Sequence, residues 1–118
     1  MSNWIRVAST LEFPPGSNGE LVVSFERPSG DEDEEPIVEH RIVAIFNVEG
    51  EFFALDGVCP HQGGPLGKGT LTGCIVTCPW HGWQFDVRSG EHQASKTLRH
   101  ISFPVKVEGD EILVDVDV

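Results

Sequence analysis

The chain has 118 residues, with 8 Lys+Arg against 19 Asp+Glu, a formal net charge of −11 and a pI near 4.6. That length suits one domain over residues 1–118, large enough to bury about two-thirds of its unfolded surface without disulfide staples. The charge repels phosphate backbones and anionic lipid, so no nucleic-acid or membrane partner is expected, while a basic protein partner is favoured.

Taken in chain order, the opening Met1 to Arg6 lacks a basic segment followed by an apolar stretch, so no secretory leader is expected. Three cysteines are too few for a disulfide scaffold, and a reducing, cytoplasmic setting follows as the expectation. Period-two, β-branched patterning predicts strands at Trp4–Ala8, Leu21–Glu26, Ile37–Phe46, Phe52–Leu55, Cys74–Cys78, Trp83–Val87, Phe103–Val107 and Ile112–Val116. Glu49-Gly50 and Glu108-Gly109-Asp110 read as tight hairpin turns. The acidic run Asp31 to Glu35 reads as a solvated loop between two strands. Ala94, Leu98 and Ile101 have helical spacing, but the segment is short and uncapped and supports one turn at most. An all-β, antiparallel sandwich or partly open barrel is expected, with a Gly/Pro-rich insertion at about residues 57–90.

The chemistry concentrates in that insertion. Cys59-Pro60-His61 and, sixteen residues later, Cys78-Pro79-Trp80-His81 form two short claws, each offering one thiolate and one imidazole from a loop punctuated by Pro or Gly. Two such claws make a four-ligand metal site. A structural zinc would accept two thiolates and two imidazoles, although zinc knuckles more often pair Cys with Cys and His with His. Cys74 lies outside the pattern and reads as a buried packing residue; His40, His92 and His100 read as surface histidines.

The mixed claws resemble the Rieske family, in which two Cys bind one iron of a [2Fe-2S] cluster and two His bind the other. The resemblance extends to Phe52-x-Ala54-Leu55-Asp56, Gly63-Gly64-Pro65-Leu66, Phe85-Asp86-x-x-x-Gly90 and Phe103-Pro104-Val105. It implies a β-sandwich base of the Rieske iron-sulfur type with a smaller cluster-binding subdomain, Cys59 and Cys78 on the inner iron, and His61 and His81 on the outer one. Around the ligands, Gln62, Gly64 and Trp80 are expected to offer backbone N–H groups. Gly63, Gly64 and Gly82 are expected to supply backbone geometry, and Trp80 and Trp83 to exclude water.

Rieske proteins of respiratory and photosynthetic complexes carry a disulfide at positions matching Gly64 and Trp80, and Ser and Tyr hydroxyls at positions matching Trp83 and Phe85. This chain has none of these, which implies a potential at the low end of the Rieske range, roughly −150 mV or somewhat above. The resemblance implies a soluble one-electron carrier, not a catalyst, similar to the ferredoxin components that pass electrons from a flavin reductase to a terminal oxygenase. The small subunit of an assimilatory nitrite reductase, working with its large subunit, is the near alternative. A structural zinc module is the alternative of another class.

Overall fold

Alternating side chains become strands where each face finds something to bury against, and β-branched residues favour that pleated surface. The computed structural model describes residues 3–27, 30, 34–58, 64–80, 82–95 and 97–116. Its strands are β1 (Trp4–Ser9), β2 (Asn18–Arg27), β3 (Ile37–Val48), β4 (Glu51–Asp56), β5 (Thr70–Thr72), β6 (Ile75–Thr77), β7 (Gln84–Asp86), β8 (Ser102–Phe103), β9 (Val105–Glu108) and β10 (Glu111–Asp115). They form three antiparallel sheets, ordered β1-β10-β9, β2-β3-β4-β8 and β5-β6-β7.

The expected hairpin at Glu49-Gly50 is present, with φ of 54° and 95°, the left-handed pair that a two-residue turn matched to strand twist requires. Two details differ from the sequence expectation, at Pro104 and in two short 3-10 turns, and a third falls within it. Pro104 divides the anticipated strand at Phe103–Val107 into β8 and β9, which belong to different sheets, because proline has no N–H for a ladder. Around Ala94–Ile101, where one turn at most is expected, no helix forms among the described residues; the Leu98 N–H donates to Ser95 O at 3.4 Å, and Glu91 bridges Arg99 and Phe85 bridges His92. Short 3-10 turns at Thr10–Glu12 and Leu66–Lys68 were not anticipated, the first closed by a Ser9/Glu12 capping box.

β3 organises the core because both its faces are covered. Val43 and Ile45 join Val23, Phe25, Ala54, Phe103, Val114 and Val116 in one cluster, between the four-stranded sheet and β1-β10-β9. Ala44 and Phe46, with Leu55, join Leu66, Val76, Cys78, Phe85 and Val87 in a second. That second cluster attaches the β5-β6-β7 subdomain to the sandwich base, and it contains one of the predicted ligands.

Candidate metal centre

The first claw grows from the end of β4. Asp56 Oδ1 accepts the Val58 N–H at 2.9 Å, Ile42 O accepts the Gly57 N–H at 2.8 Å, and Gly57 O accepts the Leu66 N–H at 2.9 Å. Val58 and Pro65 form a bridge, so the neck of the loop is closed by backbone bonds on both sides. His100 fastens the same point, its Nε2–H donating to Asp56 O at 2.8 Å. Cys59, His61, Gln62 and Gly63 lie beyond this neck and outside the described residues.

The second claw leaves β6 and returns to β7. Its neck closes where the Cys78 N–H donates to Trp83 O at 2.8 Å, and Gly82 takes φ +73°, the left-handed turn expected of it. His81 lies outside the described residues, so Cys78 is the one predicted ligand that can be placed; it is buried. Among the described residues no three His, Cys, Asp or Glu side chains converge on a common point.

The two loops meet at Gly64. A Cβ there would stand 2.9 Å from Cys78 Sγ and 3.0 Å from Trp80 Cβ, so the absence of a side chain is what lets the backbone of the first loop lie against the second. The role expected of Gly64 is thus close approach, with an ordinary φ. The two tryptophans separate: Trp83 packs inward on the second core, while Trp80 is 49% exposed. Of the two, Trp83 alone is packed against that core.

Two histidines depart from the surface positions expected of them. His92 is 8% exposed, accepts the Ala94 N–H on Nδ1 at 3.0 Å, and stands nearly perpendicular to Trp83 and Phe85 at ring distances of 4.6 and 5.2 Å. Its Nε2 has no hydrogen-bond partner among the described residues. His100 is also buried, beside Phe85 at 5.5 Å. Neither has a local signal, since both stand among polar neighbours and are buried by chain folding back over β7. His40 is exposed as expected, paired with Ser24 at 2.7 Å. Where the chain leaves β7, Arg88 binds Asp86 at 2.8 Å and holds that carboxyl below its ordinary range by hydrogen bonding and charge.

A family model described as the Rieske [2Fe-2S] domain matches residues 3–106. The chain belongs to the Rieske [2Fe-2S] family. The ferredoxin component of the naphthalene 1,2-dioxygenase system of Pseudomonas aeruginosa is 34% identical, over 82% of this chain and 93% of its own. Among solved structures, a complex of reduced oxygenase and oxidised ferredoxin in carbazole 1,9a-dioxygenase matches with 26% identity and a TM-score of 0.70, over 95% of this chain and 92% of that chain. A nitrite reductase small subunit of Mycobacterium tuberculosis shares the fold at 18% identity, with a TM-score of 0.73 over 100% of this chain and 98% of its own.

A Rieske domain holds one [2Fe-2S] cluster, and this chain is an electron-transfer protein, not itself a catalyst. The placed residues fit such a group. A buried thiol ends β6 where a second loop approaches without a side chain, and the donor set of the two claws is the mixed thiolate and imidazole set that a Rieske cluster takes. Neither Trp83 nor the fully buried Phe85 carries a hydroxyl. Phe85→Tyr is expected to raise the midpoint potential by about 40 mV, the one-electron equivalent of a hydrogen bond worth about 1 kcal/mol. Protein-film voltammetry reads this, and an unmoved or lowered potential contradicts it.

Proposed function

We propose that this chain is the Rieske ferredoxin component of an oxygenase system. It carries single electrons from a flavin-dependent reductase to a terminal oxygenase in the cytoplasm, as a single domain over residues 1–118. Cys59 and Cys78 hold the inner iron, and His61 and His81 the outer. The observation that carries the reading is the junction at Gly64, where the two ligand-bearing loops come within contact of each other beside the Cys78 sulfur.

The bound cluster supplies reversible one-electron chemistry. The chain's own residues do the rest. The neck hydrogen bonds of Asp56, Gly57 and Cys78 fix the spacing of the two loops. Trp83, Phe85 and Val76 wall off the side facing the core. Residues 57–66 and 78–85 contain no Asp, Glu, Lys or Arg, so the docking end is neutral although the chain carries −11. Val58 and Trp80 leave apolar surface there for a partner to cover. Elsewhere the negative charge favours encounter with basic partner faces.

Metal and sulfide analysis of anaerobically purified protein tests the ligand set: iron and acid-labile sulfide in equal amounts are expected, and zinc without sulfide overturns it. Reduction by a flavin reductase is expected to slow as salt rises, because the encounter is between opposite charges. The nitrite reductase alternative rests on shared fold alone, whereas the oxygenase reading is supported by relatives matched along most of their length.

A further inference from the structure

The β2–β3 ribbon runs on past the cluster-binding subdomain. Where the subdomain sits on it, the ribbon is covered: a Cβ on Gly67 would stand 2.6 Å from Glu20 Cβ, and Ala44, opposite Glu20, is fully buried. Side chains return to the same face every second residue. That face therefore continues with Val22 opposite Ile42, Ser24 opposite His40, and Glu26 opposite Val38.

This continuation is bare. Val22 is 70% exposed, Val38 54% and Ile42 36%, which is unusual for three aliphatic side chains sharing one strand face. The strip is about 14 Å long at the rise of a β-strand. Its near end is the first loop, since Ile42 O accepts the Gly57 N–H and the half-exposed Val58 follows. Its far end is acidic, with Glu26, Glu34 and Glu35 all exposed.

We propose that this strip is a second docking surface, occupied by the terminal oxygenase while the loops bearing Cys59 and Cys78 meet its electron-accepting site. The proposal rests on the reading of the chain as an oxygenase ferredoxin. Specific interfaces bury roughly 800 Å² per partner, and Val58 and Trp80 alone supply little of that. The strip adjoins Val58 through Ile42 and Gly57 and adds to that area. The oxygenase is also the partner with which a related ferredoxin forms a complex. A second copy fits poorly, because each chain carries −11 and the far end of the strip is acidic. The matching surface is an apolar ridge with Lys or Arg beside it, facing Glu26, Glu34 and Glu35.

The test uses the full, cluster-loaded chain and the terminal oxygenase and reductase of a naphthalene 1,2-dioxygenase system, with binding, electron-transfer rates and midpoint potential measured in parallel. Val22→Asp with Val38→Asp is expected to weaken oxygenase binding about tenfold or more, raising KM for the ferredoxin without changing kcat. Reduction by the reductase, the potential and the EPR spectrum stay as in the wild type. Glu34→Lys with Glu35→Lys weakens the same binding and flattens its salt dependence. Val22→Thr with Val38→Thr keeps the β-branched shape and decides the matter should the Asp pair fail to fold. Unchanged oxygenase binding overturns the proposal, as does an effect confined to the reductase. A wild-type dimer that the Asp pair splits overturns it in favour of self-association. A wild-type chain that binds no oxygenase overturns the functional reading and the strip together.

Discussion

Gly64→Ala lowers cluster loading while leaving the sandwich base folded: relatives with Cys at this position also have Cys at that of Trp80, whereas here the added methyl meets a tryptophan. The added methyl would enter a space already bounded at 2.9 Å by Cys78 Sγ and at 3.0 Å by Trp80 Cβ. Cys78 Sγ can yield only by turning about χ1, out of the position it holds beside the first loop, and the Trp80 Cβ moves only with its main chain. Either shift disturbs the spacing of the proposed four-ligand site. The first core lies on the far face of β3 and does not touch Gly64, so the base is spared. The expected result is a several-fold lower iron content and visible absorbance with an unchanged far-ultraviolet circular dichroism spectrum. Full iron loading of the variant would show that the loops do not need this approach.

The second large effect comes from the core that joins base to subdomain. Phe46 is fully buried in the same cluster as Leu66, Val76, Cys78, Phe85 and Val87. Phe46→Ala is expected to cost about 3–5 kcal/mol, from lost transfer energy and a cavity that a sheet can only partly close. For a chain of this size that lowers Tm by on the order of 15 °C. Val114→Ala, in the other core, removes packing without touching the site. At matched distance below their transitions, chelators should strip iron faster from the Phe46 variant than from the Val114 variant. Equal stripping rates would mean that the subdomain is held by its loops alone and not by this core.

Much of the fold was legible because strand signals are local. β1, β3, β4 and β10 follow short apolar runs rich in β-branched and aromatic residues, and the Glu49-Gly50 turn follows from the left-handed backbone it needs. One misreading has a non-local cause. Phe103–Val107 looks continuous, yet its two halves pair with β4 and β10 in different sheets. The spacing of Ala94, Leu98 and Ile101 is helical, and the expected limit of one turn holds because the segment is tied by the Glu91–Arg99 bridge and the His100 N–H to Gly90 O bond, contacts that periodicity does not encode.

The site divides in the same way. Two Cys-His claws at their spacing pointed, from sequence alone, to a four-ligand metal centre and to the family that the domain match shows, because ligand chemistry depends on residue type and on short loops. Charge argued only against phosphate backbones and anionic lipid and for a basic face on a protein partner. Only the tertiary structure decided that Gly64 serves contact with Cys78, that Trp83 turns inward while Trp80 faces solvent, and that His92 and His100 are buried. These are matters of which chain segment lies over which, and burial is a property of neighbours distant in sequence. The bare strip along β2 and β3 belongs to the same category: its residues read as an ordinary strand, and only the position of the subdomain shows that nothing within the described chain covers them.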